Sequence, residues 1–343
     1  MTVTPTGKGG NMRKPRFAWL AMLAALALVA AACGDDDGGG DGTNGDDPFR
    51  IAIVAPSASN DLAFSQSIVD AVNLIAQERG NVTVQVTDGM FVVEDAAAAI
   101  RGYAEDGVDL VLAHGSQYGG SLQEIAPDFP DTAFAWGTAA DTFDLPNVFS
   151  YEAASDEGGY VMGVMAAALS ESGIIGVVGP IEVGDAKLYV DGFGVGVLAE
   201  DPGATVNINY IGSFSDVALA SEAAQSHLAA GADILTGTAQ MVVGAIGVAS
   251  QNGLPWFGTQ ANQTSLAPDI VVASQVYHWE VVLREIIANI EGGTVGGEIY
   301  EINLANGGLV IEFNDGFDLS DDVRAKADAA IDGIKSGSIS TGQ

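Results

Sequence analysis

The chain has 343 residues, 48% of them hydrophobic, which is enough for two domains with real cores and too apolar for general disorder. Twelve Lys and Arg stand against 45 Asp and Glu, a formal net charge of −33 at pH 7. Such a surface repels nucleic-acid phosphates and anionic lipid headgroups, so nucleic acid is excluded as a partner. No D-x-D-x-D-G loop offers a calcium site, and the acidic coat reads as solvated surface.

Residues 1–33 read as a processing signal. Arg13, Lys14 and Arg16 form a basic cluster, and Met12 just before it is an alternative start. An apolar run over 18–32 follows, short for a membrane span. Ala30, Ala31 and Ala32 then meet Cys33, the only cysteine, so no intramolecular disulfide can form. The arrangement resembles a bacterial lipoprotein signal, with Ala30 where that signal usually has Leu. It implies lipidation of Cys33 and anchoring at the extracytoplasmic face of the cell membrane. Residues 34–48, GDDDGGGDGTNGDDP, are Gly-rich and acidic and predict a flexible tether.

From residue 49 onward, strand and helix patterns alternate. Apolar strand patterns at 51–55, 82–86, 108–113 and 132–136 are separated by helical patterns at 62–78, 94–106 and from 119. A Gly- and Ala-rich helix is predicted over 157–169, and the rhythm then restarts. Strands are expected at 173–178, 204–210, 234–238 and 256–257, with helices at 187–199, 218–230 and 242–251. This predicts an α/β fold with parallel sheets covered on both faces. An internal echo divides it in two: AEDGVDLVLAHG at 104–115 is matched by LAAGADILTGTA at 228–239. Each copy ends a helix at a glycine (Gly107, Gly231) and enters a strand through an aspartate (Asp109, Asp233). Downstream, Trp136-Gly137-Thr138 echoes Phe257-Gly258-Thr259. Two Rossmann-like lobes would hold a ligand in the cleft beyond the carboxyl ends of their strands.

Two loops after strands carry candidate ligand groups. Asn60, Asp61, Phe64 and Ser65 combine amide, carboxylate, aromatic and hydroxyl groups at a helix start, where free N–H groups also point outward. Asn60 or Asp61 equally suits a helix cap. His114 ends a strand on the same side. It lacks a second His or Cys at zinc-ligand spacing, and Ser116 beside it is not in a G-x-S-x-G elbow, so neither metal nor hydrolase chemistry is indicated. The glycines at 176–179 and 192–196 do not form G-x-G-x-x-G, and those at 192–196 fall inside a predicted helix, where they permit close packing. No cofactor and no enzymatic activity are expected.

Four passages resemble the basic membrane protein family, the purine-nucleoside-receptor-like solute-binding lipoproteins of ABC transporters. They are NDLAFSQ at 60–66, SDEGGYVMG at 155–163 leading into GIIGVVG at 173–179, YVDGFGVG at 189–196, and IKSG at 334–337 after NGG at 306–308. The resemblance implies a type I periplasmic-binding-protein fold whose two lobes are joined by a multi-strand hinge near Tyr151 and Ser274. Lobe 1 would comprise 49–151 plus about 277–310, and lobe 2 would comprise 152–274 plus about 311–343. It also implies a nucleoside-like solute stacked between aromatics, an ABC permease as partner, and a membrane association through the lipid anchor. Phe64 matches the first stacking residue, and Tyr189 is the candidate second, ahead of Phe193. The family's G-V-D-x-D-Q stretch stands here as Gly258-Thr-Gln260-Ala-Asn262-Gln263, with amides for both acids. The family lysine after the crossing strand is Tyr277 here. Gln260, Asn262 and Tyr277 would thus meet a ribose, a neutral polyol, a modified base or another ring. An extracellular sensor on the same fold, with a different ligand, is the alternative function.

Overall fold

The computed structural model describes residues 47–342. Cys33, and all but the last two residues of the expected tether, lie outside the described residues.

The first half of the chain builds a six-stranded parallel sheet. Its strands are β1 (Phe49–Val54), β2 (Val82–Thr87), β3 (Leu110–His114), β4 (Ala133–Gly137) and β5 (Val148–Ala153), with β11 (Ile299–Ile302) added late in the chain. The order across the sheet is β2-β1-β3-β4-β5-β11. Helices α1 (Phe64–Arg79), α2 (Val93–Glu105) and α3 (Gly119–Ile125) connect consecutive strands. The second sheet repeats the plan with β6 (Ile174–Gly179), β7 (Thr205–Tyr210), β8 (Ile234–Gly237), β9 (Trp256–Gln260), β10 (Val271–Tyr277) and β12 (Leu309–Phe313). Its order is β7-β6-β8-β9-β10-β12, and only β12 runs antiparallel to its neighbour. Both sheets therefore have the doubly wound order 2-1-3-4-5, which reverses direction between their first and third strands.

The chain passes between the sheets three times. It leaves β5 for α4 (Ser155–Leu169), leaves β10 for α8 (Glu280–Glu291), and leaves β11 for β12. Helix α8 lies against α1, where Arg284 pairs with Glu78 and Arg79 pairs with Glu291. The last helix, α9 (Asp321–Lys335), packs on α4. Ser320 caps it by accepting from the Val323 N–H.

The internal echo has a physical basis. Gly107 and Gly231 have φ of +67° and +91°, a left-handed bend that ends each helix. The aspartate that follows ties down a strand start. Asp109 accepts from the Arg50 N–H at 2.7 Å, and Asp233 accepts from the N–H groups of Glu171 and Ser172 at 2.7 Å each.

Helix α5 (Gly184–Glu200) lies directly on α4 with almost no side chains between them. A Cβ at Gly159 or Gly163 of α4 would stand 2.4 and 2.2 Å from the carbonyl oxygens of Tyr189 and Phe193. A Cβ at Gly192 or Gly196 of α5 would stand 2.2 and 2.1 Å from those of Asp156 and Tyr160. Each helix thus offers two glycines one turn apart, into which the other's backbone fits. Helix α5 begins three residues before its expected start at 187, and this brings Asp185 into its first turn.

Replacing Gly196 with Ala should lower stability by about 1–3 kcal/mol, the usual cost of forced overpacking. Gly194 on the same helix has nothing within 4 Å of its Cβ position. Gly194→Ala should be neutral or stabilise by up to about 1 kcal/mol through helix propensity. Urea midpoints for the two variants test this, and equal shifts would refute the interlock.

Candidate ligand-binding site

The carboxyl ends of both sheets' strands line one cavity. From the first sheet come Phe64 at the start of α1, Ser116 and Gln117 after β3, and Thr138 after β4. From the second come Val183 and Asp185 after β6, Phe214 after β7, Ala239 and Gln240 after β8, and Gln260 at the end of β9. Many of these follow the strands where the order reverses, which is where open α/β sheets leave a crevice. Phe91, in the loop between β2 and α2, completes an aromatic lining of three phenylalanines.

Phe64 is set by the groups behind it. Its ring stacks on His114, centroids 4.0 Å apart and 19° from parallel, and its carbonyl oxygen lies 3.2 Å from His114 Nε2. His114 Nδ1 is 2.8 Å from the Tyr151 hydroxyl. His114 is wholly buried, and burial holds its pKa down to about 3, so the imidazole is neutral. The Nε2–H donates to the Phe64 carbonyl, which leaves Nδ1 to accept from Tyr151. Tyr151 and Trp279 pack edge to face at 5.1 Å, and the Trp279 indole N–H donates to Ser67 of α1 at 2.9 Å. His114, expected from the sequence as a ligand contact, is buried outside the cavity lining and supports Phe64, which lines it.

The polar groups of the loop before α1 are likewise engaged within the protein. Asp61 accepts from the N–H groups of Ala63, Ser65 and Gln66 at 2.9 to 3.2 Å, and from the Ser57 hydroxyl at 2.6 Å. It caps the helix, as one of the two sequence readings allows. The Ser65 hydroxyl is buried against Ser57, 2.6 Å from that residue's hydroxyl oxygen. Asn60 is exposed. None of these three lines the cavity.

Tyr189 does not stack on anything in the cavity. It is fully buried in the second half's core, with its hydroxyl 2.7 Å from Thr236 Oγ1 and its ring 6.0 Å from that of Phe193, which is also fully buried. Their backbone carbonyls meet Gly159 and Gly163 of α4, while their side chains reach the second sheet, Tyr189 to Thr236 of β8 and Phe193 to Phe257 of β9. The aromatic that the second half presents to the cavity is Phe214.

The expected polar triplet stays together along an outer crevice lined by Gln260, Asn262 and Tyr277, and of the three Gln260 also reaches the cavity. Asn262 is exposed and donates to Glu312 at 2.6 Å. Tyr277 is buried behind Gln260. Gln260 and Tyr277 are joined by a residue that sequence reasoning missed. Asp185 accepts from the Gln260 amide at 3.2 Å, from the Tyr277 hydroxyl at 3.1 Å and from the Thr138 hydroxyl at 3.2 Å. It is 6% exposed, and burial raises its pKa against the lowering effect of these donors. Behind it, Glu152 is raised to about 7, first by burial and then by the charge of Asp185. A usable signal existed: Asp185 opens the helix after β6 much as Asp61 precedes the helix after β1, so lobe symmetry marks it.

Two non-glycine residues at the cavity hold left-handed backbone, Ala239 at φ +73° and Gln260 at +72°. Such positions are uncommon for side chains of this kind and concentrate where structure serves a site. Gln260 Oε1 is buried with no hydrogen-bond partner among the described residues.

Two doubly wound halves with one aromatic-lined cavity between their strand ends define a bilobed solute-binding protein of type I fold. A solved ABC-transporter solute-binding protein from Conexibacter woesei agrees, at 25% identity and a TM-score of 0.70 over 85% of this chain and 98% of that one. The family model described as ABC transporter substrate-binding protein PnrA-like matches residues 49–340, and this chain belongs to that family. Substrate binding, and not catalysis, is the activity that defines it. Among curated relatives, a purine-binding protein of Brucella abortus is 30% identical over 185 residues, 54% of this chain. That match spans about half, 52%, of the Brucella protein. The transcriptional activator protein Med of Bacillus subtilis is 26% identical over 292 residues, 83% of this chain and 87% of that protein.

The depressed His114 pKa has a measurable consequence. Below the unfolded value near 6.5, the unfolded chain binds a proton that the native chain refuses until about pH 3. His114 therefore costs stability as pH falls across that window, at up to about 1.4 kcal/mol per pH unit. The raised carboxylates Asp185 and Glu152 act with the opposite sign. Denaturant titrations at pH 6 and 4 should show that His114→Phe loses less stability on acidification than the parent chain. An unchanged slope would contradict a neutral buried imidazole.

Proposed function

We propose that this chain is the extracytoplasmic, lipid-anchored solute-binding subunit of an ABC importer, and that it captures a small, nucleoside-like solute bearing a flat ring. The observation that carries this reading is the cavity itself. It draws phenylalanines from both halves and ringed polar groups from one end, a lining suited to a planar apolar body with a polar appendage. Lobe closure about the three crossings would enclose the solute. The purine-binding relative supports the ring class. Anchoring rests on Cys33 and its flanking pattern. A permease and the membrane are then the partners.

Calorimetric titration of the purified chain with adenosine, guanosine, inosine, pyrimidine nucleosides and free bases tests the reading. One-to-one saturable binding by at least one ring solute is expected. Phe64→Ala should weaken that binding roughly 10- to 100-fold, through lost stacking and apolar contact. Undiminished affinity in that variant would sink the stacking model. Absence of heat with every ring solute, from folded protein, would move the solute to another class.

A second reading is an extracellular sensor on the same fold. The Bacillus subtilis relative, named as a transcriptional activator and similar over 83% of this chain, is what favours it. Radiolabelled solute uptake in the host with and without the gene separates the two, because a sensor would leave uptake intact.

A further inference from the structure

We infer that the solute carries a protonated amine, and that Asp185 is its counter-ion at the polar end of the cavity. This rests on the ring-solute reading above and specifies the chemistry of the same site.

Asp185 supplies the only formal charge among the residues lining the cavity, which include no Lys, Arg or His. Its partners are neutral: the hydroxyls of Thr138 and Tyr277 and the amide of Gln260. The nearest lysine in sequence, Lys187, is exposed and pairs with Asp191. The other charges that bear on this region, from Glu152, Asp156 and Glu301, are all negative. A buried carboxylate with no cation is costly, and neutral donors offset that cost only in part. A cationic ligand supplies the missing charge on binding.

Gln260 provides a second, independent observation. Its amide nitrogen must face Asp185, because a carboxylate only accepts hydrogen bonds. Its Oε1 is then left as a free acceptor, in a side chain that is 2% exposed and lines the cavity. An unpaired buried acceptor costs free energy until a ligand donor reaches it. An ammonium group has three donors and can serve both Asp185 and Gln260 Oε1.

The aromatic lining adds to the same preference. Phe64, Phe91 and Phe214 line the cavity, and a cation over an aromatic ring face is stabilised by its quadrupole. The imidazole stacked behind Phe64 is neutral, so it places no positive charge opposite the ligand.

Two matched pairs of probes test this by calorimetry at pH 7: tryptamine against tryptophol, and 5′-amino-5′-deoxyadenosine against adenosine. Within each pair the ring is constant and the terminal amine replaces a hydroxyl. In the parent chain the amine should bind about tenfold or more tightly than the alcohol in at least one pair, the scale of a desolvated charge contact. Asp185→Asn, nearly the same in shape, should bring amine and alcohol to equal affinity within each pair. If that variant does not fold by circular dichroism, the preference measured in the parent chain decides alone. Equal affinity within every pair that binds, or preference for the alcohol, overturns the counter-ion assignment and leaves the ring-solute reading standing. No saturable binding of any of the four overturns the counter-ion assignment, and the ring-solute reading is then decided by the nucleoside and base titrations alone.

Discussion

Backbone contact between α4 and α5 sets the geometry of the cleft's second wall. Four glycines, Gly159 and Gly163 on one helix and Gly192 and Gly196 on the other, let each backbone occupy the space where the other's side chains would stand. Contact through carbonyl oxygens fixes axial register more tightly than contact through mobile side chains. A slip of one turn would move the start of α5 by about 5.4 Å. Asp185 sits in that first turn and makes three side-chain hydrogen bonds within 3.2 Å. The cavity's only lining charge is thus placed by a packing arrangement along the length of α5.

The polar end of the cavity shows how a site can change its source of charge. Resemblance to the family suggests an acid near residue 260 and a lysine near residue 277, and this chain has Gln260 and Tyr277 there. Read as sequence, both charges are lost together. In the fold, the two replacements converge on Asp185, which arrives from a different helix. A carboxylate is therefore present, and what has disappeared is its basic partner. The net electrostatics of this end of the cavity differ from those of a balanced ion pair.

Much of the fold was legible because its periodicities are strong. Strands buried on both faces, such as Leu110–His114, read as unbroken apolar runs, and the echo around Gly107 and Gly231 marked two equivalent halves. The site was legible only in part. Phe64 and Gln260 line the cavity, while Asp61 and Ser65 are spent on the helix start and His114 on the back of Phe64. Tyr189 was misplaced because a helix pattern shows which residues are apolar without showing which neighbour covers them. Here the second sheet covers Tyr189, through Thr236 of β8. Asp185 was missed because α5 starts at Gly184 without a side-chain cap, so the usual start signal is lacking. Phe91 and Phe214 lie in loops, where no periodicity points a side chain anywhere.

The left-handed backbone at Gln260 bears on how such a pocket can diversify. Asn, Asp and Gly enter that conformation more readily than Gln does. Exchange among acid, amide and glycine at this strand end is therefore a change of one side chain on a backbone already shaped for it. Strand β9 keeps its pairing with β8 and β10 throughout. Selection can thus revise which solute the protein accepts at residue 260 while the frame that closes around the solute stays as it is.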